Sequence, residues 1–251
     1  MINIILSGCN GRMGKVISSL AKDDPSVNIV CGFDINTEKN FDYPVYSDYE
    51  KFEGNANVII DFSHPSNLEN ILNYGIKRNI AMVIATTGLS DDELNKVYEA
   101  AKKVPVFFSA NMSLGVNLMV NLAKQATKLL YEKFDIEILE KHHNQKLDAP
   151  SGTALMLANA IKEEIDGETE FVFDRHSVRK KRDKKEIGIS AIRGGNIVGE
   201  HTVIYAGCDE IVEITHKAAS RDVFAVGALA AAKFLSGKGA GLYDMQDIIN
   251  S

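Results

Sequence analysis

A chain of 251 residues, 45% hydrophobic and 25% charged, has the composition of a folded protein and is near the upper size for one hydrophobic core. With 34 acidic against 28 basic residues the net charge is -6, which argues against a nucleic-acid partner. Cys9, Cys31 and Cys208 are scattered without CxxC or Cys/His spacing, so the sequence predicts reduced thiols, no metal site and no disulfide framework. No apolar run has the length of a signal segment or membrane span, which leads to the expectation of a cytoplasmic protein with no membrane partner.

In chain order, "NIILSG" reads as a buried strand, "RMGKVISSLAKD" as a helix, "VNIVCGFD" as a second strand and "ANVIIDFS" as a third. The alternation continues through "PSNLENILNYGIKRN", "IAMVIATTG", "SDDELNKVYEAAKKV" and "PVFFSAN". Near-continuous Val/Ile strands separated by helices predict a parallel sheet covered on both faces. After Asn111 the pattern changes to a long helix, "SLGVNLMVNLAKQATKLLYEKF". Strictly alternating segments follow, "DIEILEKHH", "EHTVIYAG" and "DEIVEITHK", which predict an antiparallel or mixed sheet. The Ala-rich "DVFAVGALAAAKFLSG" reads as a helix stopped at Gly237, and "GLYDMQDII" is expected to pack back onto the first domain. The expected fold is α/β, a Rossmann-like parallel-sheet domain over 1–113 and 222–251 with an inserted α+β domain and mixed sheet over 114–221.

The turn "SGCNGRMGKVI" joins the first strand to the first helix, with Gly8, Gly11 and Gly14 in GxxGxxG spacing. Glycines permit the tight turn and close backbone approach to a pyrophosphate, and the free N–H groups of the helix start attract its charge. The spacing departs from GxGxxG by one residue and is not a Walker loop. Asp34 ends the second strand about 20 residues further on, where a carboxylate can accept from an adenosine ribose. Ile35 follows in place of an arginine, which tilts the expected cofactor towards NADH over NADPH, although Lys39 and Arg12 weaken the tilt. "DFSHP", "ATTG" and "SANMS" end other strands of the same sheet. Thr86, Thr87 and the backbone of Ala110 to Met112 are therefore candidates to hold the nicotinamide end, with ordinary turn chemistry as the alternative.

In "EKHHNQKLDAPSGTA", a strand ending at His142 and His143 would point the two rings to opposite faces, which disfavours a shared metal. Lys146 can meet His142 around the loop. Ser151 opens a helix whose N–H groups near Gly152 and Thr153 suit a carboxylate. A proton-donating imidazole, an ammonium and an anion site are equipment for reducing a C=N or conjugated C=C beside a carboxylate. The plainer alternative is an N-cap serine beside exposed loop histidines.

The combination of "GCNGRMG", "ATTG", "SANMSLGVN", "EKHHNQKLDAPSGTA", "IVGEHTV", "EITHKAASR" and "SGKGAGLYDM" resembles the 4-hydroxy-tetrahydrodipicolinate (dihydrodipicolinate) reductase family over essentially the whole chain. The resemblance implies NAD(P)H-dependent reduction of the cyclic imine dicarboxylate 4-hydroxy-2,3,4,5-tetrahydrodipicolinate, with loss of water, in diaminopimelate and lysine synthesis. It implies His142 as proton donor and acceptor, with Lys146 as the second proton donor. His143, Lys146, Ser151, Gly152 and Thr153 match substrate-carboxylate positions. Gly8, Cys9, Asn10, Gly11, Arg12, Met13, Asp34, Ala85, Thr86, Thr87, Ser109, Ala110, Asn111 and Met112 match cofactor positions. A homotetramer built through the second domain's sheet is also implied.

Other readings keep part of this pattern: an aspartate or homoserine dehydrogenase, or a nucleotide sensor without turnover, which would have no use for His142, Lys146 and the Ser151 turn together. The basic run "RKKRDKKE", Arg179 to Glu186, lacks interleaved aromatics and reads as a solvated loop. His64, His176, His201 and His216 receive no role.

Overall fold

Runs of branched apolar residues build the first sheet. In chain order come β1 (Ile2–Ser7), α1 (Arg12–Lys22), β2 (Val27–Phe33), β3 (Val45–Tyr46), β4 (Val58–Asp61), α2 (Leu68–Arg78), β5 (Ala81–Ile84), α3 (Asp91–Ala101) and β6 (Pro105–Phe108). The computed structural model describes residues 1–251. Every residue of β4 and β5 is buried, as expected of strands covered on both faces. The helices begin and end on local signals: Ser90 and Glu93 form a capping box at α3, and Asn79 takes the left-handed conformation that stops α2.

The chain continues through α4 (Leu114–Leu130), β7 (Asp135–His142), α5 (Gly152–Lys162), β8 (Glu170–Val172), β9 (Glu186–Arg193), β10 (Gly199–Ala206) and β11 (Ile211–Ala218). It then forms α6 (Asp222–Leu235), β12 (Gly241–Tyr243) and α7 (Met245–Ile249). Contacts divide these elements into two units, Met1–Leu114 with Asp222–Ser251, and Gly115–Arg221.

The first unit holds a seven-stranded sheet in the order β12-β6-β5-β4-β1-β2-β3, with every pairing parallel. One core lies between a sheet face and α1 and α6, where Ile4, Leu6, Ile17, Val83, Ala228 and Leu235 meet. On the other face Ile5, Ile59, Ile71, Met82 and Val97 pack with α2 and α3. The short β12 joins the sheet beside β6, which brings "GLY" back to the first unit as expected.

The second unit is a mixed sheet in the order β11-β10-β7-β9-β8. β10 runs antiparallel to β7 and β11, whereas β9 is parallel to both β7 and β8. Alternate residues of β7 are buried against α4 and α5. That inward row reads Ile136, Ile138, Glu140, His142, so the apolar stripe of a half-buried strand ends in two polar side chains.

β9, "EIGISAIR", is absent from the strands expected above because small residues interrupt its apolar alternation. One of them, Gly188, lies against the Glu137 side chain on the neighbouring strand, whose carboxylate would have to swing aside for a Cβ there. No helix is long and apolar enough to cross a membrane.

Candidate active site

In the first unit the glycine loop is a steric construction. Gly8 has φ +76°, a left-handed conformation natural to glycine, and a Cβ there would also strike the backbone of Phe62 at 2.8 Å. Gly11 is the N-cap of α1 and offers no side-chain cap, and no acidic residue occupies the first turn. A Cβ on Gly14 would lie 2.3 Å from Gly8 O and 2.5 Å from Cys9 O, so α1 can approach the loop only with glycine here. The Cys9 side chain is buried towards Gly32, which leaves its backbone as the part able to meet a ligand.

Asp34 is tied to this loop. Its Oδ2 accepts from the Asn10 N–H at 2.9 Å and its Oδ1 from the Asn36 N–H at 3.0 Å. The Asn10 side chain donates to Asn36 O and Glu38 O and accepts from Asn40, so the segment after β2 is fastened to the glycine turn. Arg12, Ile35 and Lys39 are exposed. A backbone cradle with uncapped helix N–H groups and a neighbouring carboxylate that keeps spare lone pairs fits a dinucleotide's pyrophosphate and ribose.

At the other strand ends, Thr86 Oγ1 donates to Asp61 Oδ2 at 2.6 Å, while Asp61 Oδ1 accepts from the N–H and hydroxyl of Ser63. Asp61 is fully buried, and this bond fixes the "ATTG" turn containing Ala85 and Thr87. Ser109 Oγ donates to Asn111 O, and Asn111 Oδ1 accepts from the Ser113 N–H. The Met112 side chain belongs to the core, so its backbone is what it offers to a ligand, as Ala110 does beside it. A Cβ on Gly227 would lie 1.6 Å from Met112 O, so the α6 backbone abuts this segment directly.

In the second unit the histidine segment is built around a carboxylate. Glu140, fully buried, receives His142 Nδ1 on Oε2 at 2.6 Å and the Ser151 N–H on Oε1 at 3.0 Å. Arg193, level with His142 on β9, grips the same carboxylate with both guanidinium ends, at 2.7 Å to Oε2 and 2.6 Å to Oε1. Burial by itself raises the Glu140 pKa, but the bonds from Arg193, His142 and Ser151 outweigh it and hold the group below its ordinary value.

Directly opposite Glu140 on β10 stands His201, 4% exposed, its ring 5.1 Å from that of His142 in an edge-to-face arrangement. Its Nε2 is 2.9 Å from Ser151 Oγ, and that oxygen caps α5 by accepting from the Ala154 N–H. Burial first, then the repulsion that the neighbouring His142 ring would exert if protonated, brings the His201 pKa down to about 4, so the ring is neutral near pH 7. His216 lies across from His201 on β11, its own pKa lowered by burial.

Lys146 Nζ pairs with Asp148 at 2.8 Å in the loop after β7. A groove of about 460 Å³ is lined by His143, Asn144, Gln145, Asn196, Val198 and Arg221, with Arg221 Nη2 3.3 Å from His143 Nε2. Gly152 begins α5 with open space where a Cβ would point, and Thr153 follows in its first turn.

The second unit thus gathers His142, Ser151 and α5's start around one carboxylate, with Lys146 close enough for its charge to act on His201. Sequence reasoning left out Glu140, Arg193, His201 and Arg221. Glu140 had a signal, since it occupies an inward position of an alternating strand. The basic run is a loop, as expected, but it is anchored: Arg182 bonds Asp135 and Glu137 on β7, and Lys180 pairs with Glu186.

A parallel sheet with a glycine-turn nucleotide cradle, joined to a mixed-sheet unit carrying a buried His–Glu pair, defines an NAD(P)H-dependent oxidoreductase of the Rossmann class. The family description "Dihydrodipicolinate reductase, N-terminus" matches residues 2–112, and "Dihydrodipicolinate reductase, C-terminus" matches residues 115–249. The chain belongs to the dihydrodipicolinate reductase family.

A 4-hydroxy-tetrahydrodipicolinate reductase of Caldanaerobacter subterraneus is 53% identical over 99% of this chain and 98% of its own length. One from Clostridium novyi is 51% identical over 100% and 99%. A dipicolinate-bound dihydrodipicolinate reductase from Paenisporosarcina sp. TG-14 shares the fold with a TM-score of 0.83 at 22% identity, over 97% of each chain.

Proposed function

We propose that this protein, whose relatives are named 4-hydroxy-tetrahydrodipicolinate reductases, reduces 4-hydroxy-2,3,4,5-tetrahydrodipicolinate to tetrahydrodipicolinate with loss of water. The observation that carries the reading is the buried Glu140–His142 pair beside the Ser151 helix start. In this reading residues 1–113 and 222–251 bind the nucleotide, and residues 114–221 bind the substrate and form the oligomer.

When bound, the reduced nicotinamide supplies a hydride. Gly8 to Met13 receive the pyrophosphate, Asp34 the adenosine ribose, and Ala85 to Thr87 with Ser109 to Met112 the nicotinamide end. His142 offers and takes a proton at Nε2, because Nδ1 is committed to Glu140. Lys146 leaves Asp148 to donate a second proton and to hold a carboxylate, while His143 and the Ser151, Gly152 and Thr153 turn hold the substrate's anionic groups.

Asp34 with Ile35 beside it tilts cofactor use towards NADH without excluding NADPH. A homotetramer through the mixed sheet accords with the apolar Ile192, Ile211 and Val212 exposed on its strands, and a cytoplasmic setting accords with the buried free thiols of Cys9 and Cys31.

The test is a coupled assay in which aspartate semialdehyde and pyruvate are condensed and NADH absorbance is followed. Turnover is expected with both nucleotides at comparable kcat/KM, somewhat higher for NADH. Lys146→Ala should lose about 100-fold or more in kcat while still binding NADH. Near-normal kcat would remove Lys146 from the chemistry, and a large NADPH advantage would defeat the cofactor reading. Oxidation of aspartate or homoserine instead would point to another dehydrogenase.

A further inference from the structure

A buried carboxylate is costly unless donors converge on it, and Glu140 is surrounded by them. His142 from its own strand, Arg193 from β9 and the Ser151 N–H bond it, while the other titratable groups of the region are His201 opposite it on β10, His216 beyond that on β11, and Lys146 paired with Asp148 in the following loop. We infer that Glu140, clamped by Arg193, is a positioning residue that fixes His142 as its Nδ1–H tautomer and sets the start of α5 through the Ser151 N–H. The inference rests on the reading of His142 as the group that moves the proton.

An ionised carboxylate only accepts hydrogen bonds, so the hydrogen between Oε2 and His142 Nδ1 belongs to the imidazole. Nε2 is then left with a lone pair in the neutral ring. That edge faces Gly199, where a Cβ would lie 3.1 Å from Nε2, so glycine on β10 leaves room beside the reactive atom. Arg193 is itself held, by Asp148 O and Ile192 O, which gives the clamp a fixed direction. His201, neutral near pH 7, packs on the His142 ring without adding a competing cation. One carboxylate therefore aims both the proton-exchanging imidazole and the helix start assigned to the substrate's anionic group.

Glu140→Gln should reverse this arrangement. Oε1 meets two donors that cannot give way, the Ser151 N–H and Arg193 Nη2, whereas Oε2 meets one besides His142, an Arg193 Nη1 that keeps Ile192 O as an acceptor, so the glutamine oxygen belongs at Oε1 and its NH2 faces His142. That NH2 donates to Nδ1 and forces the proton onto Nε2.

The experiment is a 15N imidazole spectrum of the full chain without substrate, with steady-state kinetics on the same samples. Wild type is expected to show Nδ1–H at His142. Glu140→Gln should show Nε2–H, with kcat lower by about 10- to 100-fold and substrate KM little changed. An unchanged tautomer in Glu140→Gln overturns the inference. If that variant does not fold, the wild-type spectrum decides: a slowly exchanging Nδ1–H supports the clamp and an Nε2–H tautomer overturns it. A wild type with the expected spectrum but no imine reductase activity would defeat the functional reading alone. An active wild type whose His142 tautomer ignores residue 140 would defeat the inference alone.

Discussion

The glycine loop and the histidine segment solve the problem of exposing reactive groups in opposite ways. Around Gly8 and Gly14 the structure is set by missing side chains: each absent Cβ lets one backbone touch another. Around Glu140 it is set by charge, with a carboxylate and a guanidinium meeting beside the buried rings of His142 and His201, where the sheet's apolar row ends. The first arrangement tolerates no added atom, and the second tolerates no unpaired charge.

The largest expected effect breaks the charge side of this comparison. Arg193→Ala leaves the fully buried Glu140 without its guanidinium, and stability in denaturant should fall by about 3–5 kcal/mol. A loss under about 1 kcal/mol would mean the carboxylate is satisfied without arginine.

Gly14→Ala tests the steric side. A methyl group placed 2.3 Å from Gly8 O forces α1 away from the loop, at a cost of about 1–3 kcal/mol by the same measurement. NADH binding followed by calorimetry should weaken at the same time, and an unchanged affinity would separate the loop's packing from any role with nucleotide.

The smallest effect at neutral pH sharpens the contrast between the units. Bonds from Arg175 and then Lys180 bring the Glu186 pKa from about 4.5 down to about 2, and Glu140 is also held low. A carboxyl whose folded pKa lies below its unfolded one stabilises above the unfolded value, and that contribution is lost as pH falls towards the folded value. Both groups are buried in the second unit. Between about pH 4.5 and 2, amide exchange should accelerate in β7 and β9 before it does in β4 and β5. Simultaneous loosening of both sheets would show that these carboxylates do not set the acid response.

The same contrast explains what could be read from sequence. A steric requirement appears as spacing, so Gly8, Gly11 and Gly14 and the buried Val/Ile strands declare the parallel sheet, and strict alternation declares β7, β10 and β11. A charge requirement pairs residues that are distant in the chain: Glu140 and Arg193 are separated by 53 positions, and only the register of β7 with β9 unites them. β9 itself was hidden, since Gly188, Ser190 and Ala191 interrupt its apolar alternation. The ring of His201 was placed by the same kind of long-range pairing, opposite Glu140.

The helix α6 supplies Ala225, Ala228, Leu229, Ala231, Ala232 and Leu235 to the first unit's core, although 107 residues of the second unit, Gly115–Arg221, precede it. During synthesis the earlier strands must therefore wait with one apolar face covered by α1 alone while the insertion emerges and can already close upon itself. The order in which the ribosome delivers the parts is thus the reverse of the order in which the two cores can be completed, and a chain halted before α6 would present an open, adhesive sheet to its surroundings.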